Sequence, residues 1–205
     1  MSDDSKRTKQ NPKTPSRSQP KISDRMVVAK SKVLAGKAIA VAVCGGIGAV
    51  EIVKIIRELR RHGAVVTAFF TPSTERFITR LSVEWATESS VVMEPNADVD
   101  YLHAFDLVLV APATLNTIAK SALGLADNAV TLLIATQFGR KAPVLFVPTM
   151  YIEMKHHPLY RHYEKLLESW GADFLEPAEK ENRQKMPDAS VVADKVCAWV
   201  KNRKS

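Results

Sequence analysis

The sequence of 205 residues contains only two cysteines, Cys44 and Cys197. They lie far apart, without a CxxC pair or a histidine at zinc-ligand spacing, so the sequence predicts neither a disulfide framework nor a metal site. No apolar stretch approaches the roughly 18 to 20 residues that a membrane-spanning helix requires, and the amino terminus lacks the apolar segment of a secretory signal. We therefore expect a cytoplasmic protein with no membrane partner.

The first 25 residues, MSDDSKRTKQNPKTPSRSQPKISDR, contain no aromatic side chain and almost no apolar ones. Such a segment cannot bury enough surface to offset the entropy of ordering. Residues 1–36 also hold nine Lys or Arg against three Asp, so they carry most of the formal net charge of +7. We predict a disordered basic tail over 1–36, either a solubilising leader or a weak polyanion anchor. The nearly neutral remainder, 37–205, is predicted to be a single domain without a nucleic-acid partner.

From Lys37 onward the hydrophobic pattern is typical of alternating strands and helices. The apolar run 38–44 predicts a strand covered on both faces, and apolar residues recur at helical spacing over 50–59. A second strand at 64–70 completes a βαβ unit. The remaining predicted elements are helical pieces at 74–79 and 83–87, strands at 107–111, 143–148 and 172–175, and helices at 115–123, 128–138, 158–170 and 190–200. This alternation predicts a single-domain α/β fold, doubly wound and Rossmann- or flavodoxin-like, around a parallel sheet.

Polar or glycine-rich loops follow the strands, where such folds bind ligands. The loop CGGIG at 44–48 enters a helix, so it is either a tight turn or a phosphate-binding loop. Its spacing fits neither GxGxxG nor a P-loop, so it does not indicate a dinucleotide or a nucleoside triphosphate. In the next loop, Ser73 either caps the following helix or binds a phosphate together with Thr71.

The loop APATLNT at 111–117 carries the most informative side chains. Thr114 and Asn116 place a hydroxyl and a carboxamide at a helix start, a mixture of donors and acceptors that suits the edge of a heteroaromatic ring. Asn128 either caps the next helix or faces the same ligand. A fourth loop, PTMYIEM at 148–154, follows the strand at 143–148.

Together these loops resemble those of the flavin-dependent cysteine decarboxylases, which include phosphopantothenoylcysteine decarboxylase and the lantibiotic-modifying decarboxylases. The resemblance covers roughly residues 37–177. Its most specific part is APATLNTIAK, which is similar to the family's P-A/L-S/T-A-N-T flavin loop. Four other segments are similar to family segments in the same order: CGGIGAVEIVK, TPSTERFITRLS, LADNAVT and PTMYIEM.

The resemblance implies an FMN cofactor and assigns residues to it. The phosphate is expected at Gly45, Gly46, Ile47, Thr71 and Ser73, with Phe77 beside them. The flavin ring is expected at Pro112, Ala113, Thr114 and Asn116, and the substrate side at Met150 and Tyr151. The family also implies a homo-oligomer, a trimer or a multiple of trimers, with flavin sites between subunits and a small-molecule substrate.

Three positions depart from the family pattern. The family's decarboxylases have a histidine shortly before the strand that leads to the flavin loop, where this chain has Asp98; His103 matches only after a shift. Tyr151 replaces the asparagine of P-x-M-N-x-x-M, which holds the substrate carboxylate in the family. The segment 176–188, EPAEKENRQKMPD, lacks the cysteine and the glycines of the family's flap.

These departures leave three functional hypotheses, and no catalytic residue is assigned. The first is an FMN-dependent oxidoreductase that passes electrons to a flat acceptor stacked near Tyr151, unless that side chain packs at a subunit interface. The second is an FMN-dependent decarboxylase of a cysteine derivative, with His103 or Asp98 in place of the missing histidine. The third is a non-catalytic flavin-binding subunit.

Three histidines, His156, His157 and His162, lie close together in the sequence. No carboxylate or cysteine stands at a spacing that would complete a metal site with them. We interpret His156 and His157, which precede Pro158, as a solvated helix start.

Overall fold

The protein folds around one five-stranded parallel sheet, seen in a computed structural model that describes residues 23–95, 104–177, 179–180 and 183–202. The strands are Ala38–Val43 (β1), Val65–Phe70 (β2), Leu107–Ala113 (β3), Val144–Pro148 (β4) and Ala172–Phe174 (β5). Their order is β2-β1-β3-β4-β5, with every neighbouring pair parallel. The predicted doubly wound, flavodoxin-like fold is therefore confirmed.

Helices cover both faces of this sheet. They are Ile52–Arg61 (α1), Arg80–Thr87 (α2), Leu115–Ala122 (α3), Ala129–Gly139 (α4), Ile152–Lys155 (α5), Tyr160–Ser169 (α6) and Ala189–Asn202 (α7). A short antiparallel hairpin, Glu179–Lys180 (β6) and Arg183–Gln184 (β7), precedes the last helix. Within the described residues no helix is both long enough and apolar enough to cross a membrane.

The central strand β1 shows why its sequence is almost wholly apolar. Successive side chains of a strand point to opposite faces. Ile39, Val41 and Val43 accordingly join the core packed under α1, α2 and α7. Ala40 and Ala42 join the core under α3, α4 and α6. All five are fully buried, as expected for a parallel sheet covered on both sides.

Two local predictions differ from the structure. The helical piece predicted at 74–79 is a single 3-10 turn, Thr74–Arg76. The strand predicted to end at residue 111 continues to Ala113, which pairs with Pro148 after a register shift; the Ala111–Pro112 peptide is cis. Pairing with β4 thus draws Pro112 and Ala113 into the sheet, although the sequence places them in a loop.

The packed domain begins before the boundary predicted at residue 37. Leu34 is fully buried, and its amide donates to the His62 carbonyl at 2.9 Å. The Lys30 amide donates to the Arg61 carbonyl at 2.7 Å, and its ammonium pairs with Glu58. These contacts with α1 and the turn after it correct the prediction of a tail over 23–36. They join residues that are distant in the sequence, so the composition of this segment could not reveal them.

Three earlier expectations fall outside the described residues. They are the tail over residues 1–22 and the two candidates for the family's histidine, Asp98 and His103. Each remains a prediction.

Candidate functional site

A cleft of about 750 Å³ opens at the carboxyl ends of β1 and β3. Strand order reverses between these two strands, which is where doubly wound folds bind ligands. The volume lies in the roughly 300–1,000 Å³ range typical of ligand pockets. Its lining residues are Gly45, Gly46, Ile47, Ser73, Phe77, Thr114, Leu115, Asn116, Ala119, Thr149, Met150, Tyr151, Met154, His157, Tyr163 and Gln184. Nine predicted site residues therefore meet at one cleft.

Gly45 lies where the first two loops touch. A β-carbon at this position would come within 2.2 Å of the Ser73 hydroxyl oxygen and 2.8 Å of the Ser73 backbone carbon. Real side chains do not tolerate such distances, so the close approach of the two loops requires glycine.

A chain of hydroxyls holds these loops together from behind. Thr74 Oγ1 donates its one proton to the Val43 carbonyl at 2.7 Å. It must therefore accept in its second bond, so the Thr71 hydroxyl is the donor to Thr74 at 2.9 Å. Thr71 Oγ1 in turn accepts the Gly45 amide at 3.1 Å. Thr71 thus supports the cleft rather than lining it. It does line an adjoining recess of about 210 Å³, together with Gly45, Ser73, Thr114 and Asn116.

The third loop presents one capping residue and one exposed carboxamide. Thr114 caps α3, and its hydroxyl oxygen accepts the Thr117 amide at 3.4 Å. Asn116 is exposed at the cleft and forms no side-chain hydrogen bond with the described residues. Its carboxamide is therefore available to a ligand.

Three other side chains near this loop have structural roles. Pro112 and Ala113 are buried in β3 and do not line the cleft. Asn128 Oδ1 accepts the amides of Val130 and Thr131 at 3.1 Å and so caps α4, and the residue also lines the side recess. Burial raises the pKa of the Cys44 thiol to about 11, so this cysteine is unsuited to act as a nucleophile.

The part of the cleft around Met150 and Tyr151 contains residues that the sequence did not predict. His157, interpreted as a solvated helix start, lines it beside Met150 and Tyr151. His157 Nδ1 accepts the Leu159 amide at 3.2 Å, so Nε2 carries the proton of the neutral ring. Tyr163 and Gln184 also reach the cleft, and no local sequence signal marks either of them. In the described part of the chain, no cluster of histidine, cysteine or acidic residues is arranged to hold a metal ion.

Comparison with known proteins places this site in a family. The family model described as Flavoprotein matches residues 27–201. Two relatives are the coenzyme A biosynthesis bifunctional proteins CoaBC of Thermococcus kodakarensis, 36% identical over 174 residues, and of Methanocaldococcus jannaschii, 34% identical over 176 residues. The matches cover 82% and 84% of this chain but only 43% of each relative. The chain thus corresponds to less than half of these bifunctional proteins.

Solved structures share the fold. A PPC decarboxylase mutant complexed with pantothenoylaminoethenethiol has a TM-score of 0.72 at 21% identity, covering 80% of this chain and 98% of that one. The FMN-dependent cysteine decarboxylase SpaF has a TM-score of 0.70 at 22% identity, covering 82% and 99%. The resemblance predicted from the loops is confirmed, and with it the expectation of a flavin cofactor. The chain belongs to the Flavoprotein family.

Proposed function

We propose that the protein binds FMN in the cleft and decarboxylates a small cysteine derivative. The observation that carries this proposal is the position of the cleft, at the β1/β3 switch point with Gly45 held against Ser73. The names of the relatives supply the reaction class, since they include CoaBC proteins and cysteine decarboxylases. They favour decarboxylation over the oxidoreductase hypothesis.

The residues present fit FMN. Gly45, Thr71 and Ser73 meet at the side recess, where the Ser73 hydroxyl suits a phosphate and the Thr71 hydroxyl, which donates to Thr74, holds Gly45 in place. Gly46 and Ile47 line the cleft next to them. Thr114 and the free carboxamide of Asn116, which line the cleft, would hold the edge of the flavin ring.

Bound FMN would supply the two-electron oxidation that converts the thiol-bearing carbon to a thiocarbonyl, which allows the neighbouring carboxylate to leave as carbon dioxide. The side chains of this chain hold the substrate for that chemistry. His157 Nε2–H donates to the substrate carboxylate, and the Tyr151 hydroxyl lies in the same wall. These two groups take the place of the asparagine that Tyr151 replaces. Apolar Ile47, Leu115 and Met154 help to exclude water.

The first experiment tests the cofactor and the reaction. Purified protein is expected to be yellow and to release FMN on denaturation. With 4'-phosphopantothenoylcysteine it is expected to release carbon dioxide above a no-enzyme control. A colourless protein that takes up no added FMN contradicts the cofactor assignment, and a yellow protein that releases no carbon dioxide contradicts the decarboxylase assignment.

A pair of neighbouring histidines tests the substrate side. His157→Gln is expected to lower kcat/KM for decarboxylation by at least about tenfold, because a hydrogen bond to a charged substrate group is lost. FMN content is expected to stay at the wild-type level. His156→Gln is the matched control, since His156 does not line the cleft. Equal activity in the two variants contradicts the role of His157.

A flavin oxidoreductase is the second candidate, and exposure of Tyr151 favours it. This side chain is 56% exposed while lining the cleft, so a flat acceptor can stack on its ring. Anaerobic titration with NADH or NADPH is expected to bleach the flavin if this activity exists. Absence of bleaching with both donors contradicts it.

A further inference from the structure

Gln184 is a buried polar residue in the wall of the cleft. It ends β7, in the segment where the family's flap cysteine is missing, and its backbone amide donates to the Met150 carbonyl at 2.9 Å. The residue is only 1% exposed. It lines both the cleft and a neighbouring cavity of about 390 Å³, so an elongated ligand that occupies the two must pass it.

The orientation of the Gln184 carboxamide follows from its neighbour. Its amide nitrogen Nε2 donates to Glu176 Oε2 at 2.8 Å, and the same oxygen receives the Lys155 ammonium at 3.0 Å. An ionised carboxylate only accepts hydrogen bonds, so the nitrogen of Gln184 must face Glu176. The Lys155 ammonium can only donate, so Glu176 Oε2 is an acceptor at this contact.

This arrangement leaves the other end of the carboxamide unsatisfied. Gln184 Oε1 is buried and has no hydrogen-bond partner among the described residues. Buried acceptors without partners are uncommon because desolvation is not compensated. Tyr160 Oη is the other such atom in the described chain, but Tyr160 does not line the cleft. A ligand in the cleft is thus the natural source of a donor for Gln184.

We propose that Gln184 Oε1 accepts a hydrogen bond from an amide N–H of the bound substrate and selects molecules that carry an amide at this point. The inference rests on the proposed function and takes the cysteine derivative to be acylated, as it is in 4'-phosphopantothenoylcysteine. A neutral carbonyl suits a neutral N–H better than an ammonium group, which would need a carboxylate. The Gln184 backbone is bonded to Met150, which the family resemblance assigns to the substrate side, so we assign the amide beside the reacting carbon to Oε1. Glu176 is a positioning residue that fixes the carboxamide.

Two synthetic probes test this assignment with FMN-loaded protein. They are 4'-phosphopantothenoylcysteine and its ester analogue, in which oxygen replaces the N–H attached to the cysteine carbon. Their dissociation constants are measured by calorimetry under anaerobic conditions with the flavin reduced, so that neither probe is oxidised during the titration. Wild-type protein is expected to bind the amide at least about tenfold more tightly than the ester, because the ester leaves Oε1 unpaired.

Gln184→Met keeps the length of the side chain and removes the acceptor. It is expected to bind both probes with nearly equal affinity, while its FMN affinity and its unfolding midpoint remain close to those of the wild type. Glu176→Gln is expected to reduce the preference for the amide only partly, because an amide at position 176 allows the Gln184 carboxamide to take either orientation. A merely structural role for Glu176 would leave the amide preference unchanged.

The outcomes separate the two proposals. If the wild type binds neither probe, the proposed substrate class is wrong and this inference is overturned with it. If the wild type binds both probes equally, or if Gln184→Met keeps the amide preference, only the assignment of Gln184 is overturned. Gln184 Oε1 would then accept its hydrogen bond from water and not from the substrate. Loss of FMN affinity in Gln184→Met would show contact with the flavin instead, and would also overturn it.

Discussion

Gly45 shows how a single missing side chain shapes the cleft. The loop after β1 and the loop after β2 approach so closely at this residue that a β-carbon would collide with both the side chain and the backbone of Ser73. Backbone atoms cannot rotate away as a side chain can. The position of Ser73, and with it the proposed phosphate site, therefore depends on glycine.

Gly45→Ala is expected to weaken FMN binding by at least about tenfold, because the loops must separate to admit the methyl group. FMN affinity is measured by fluorescence titration of protein freed of flavin. Gly139→Ala is the matched control, since a β-carbon at this end of α4 meets nothing within 4 Å. The control should keep wild-type affinity. Wild-type affinity in Gly45→Ala would show that the loops do not form the site.

At the scale of one element, α6 buries a carboxyl group behind the cleft. Glu164 is only 2% exposed, and its partner Arg161 lies on the solvent side of the same helix. Burial raises the pKa of Glu164, and hydrogen bonding to the Glu176 carboxyl adds to this effect against the opposing influence of Arg161. The helix thus favours a protonated carboxyl where the hairpin and the cleft meet.

The raised pKa predicts how stability depends on pH. A carboxyl whose pKa is higher in the folded state contributes stability below its ordinary value of 4.5 and loses it as pH rises through the folded value. The free energy of unfolding of Glu164→Gln, relative to wild type, should therefore increase with pH from about 4.5 upward. Urea unfolding at several pH values measures it. Glu168→Gln, on the exposed face of α6, controls for the removal of a carboxylate, and a pH-independent difference for Glu164→Gln contradicts the prediction.

At the scale of the whole molecule, the segment before β1 is part of the packed domain. Leu34 is fully buried in the core that contains α1 and α7, although the sequence around it is basic and polar. Asp24 reaches further along the surface and accepts the indole N–H of Trp85 at 3.2 Å. The fold therefore depends on residues that composition alone assigns to a tail.

Leu34→Ala is expected to lower the free energy of unfolding by about 2 to 5 kcal/mol, the usual range for removing a buried leucine side chain. Chemical denaturation measures the change. Val28→Ala is the control in the same segment, because Val28 is 84% exposed and should change stability by less than about 0.5 kcal/mol. Similar small effects for both variants would show that this segment does not contribute to the core.

The oligomeric state also belongs to this scale, and the homotrimer implied by the family remains a prediction. Ile47, Phe77, Tyr151 and Met154 are exposed apolar or aromatic residues around the cleft, a surface that a second subunit would cover. Sedimentation velocity is expected to show a trimer or a multiple of trimers. A monomer across the accessible concentration range contradicts the expectation.

The sequence by itself determined the order of the five strands of the main sheet and of most helices, together with nine of the residues that line the cleft. Apolar runs and helical periodicity are local properties, so β1 and α1 were predictable from short stretches of chain. The same holds for Thr114 and Asn128, whose capping bonds join near neighbours in the sequence. Because parallel strands end at one edge, the loops that follow them were expected to meet there.

Only the tertiary structure decided which side chains line the cleft. The Thr71 hydroxyl lies behind the loops because it accepts a hydrogen bond from the Gly45 amide and donates one to Thr74. Gln184 reaches the cleft because its hairpin pairs with the loop after β4. Leu34 is buried because it packs in the core with α1 and its amide bonds the turn after that helix. Each of these positions is set by contacts between residues distant in the chain, and no pattern within a short segment encodes them.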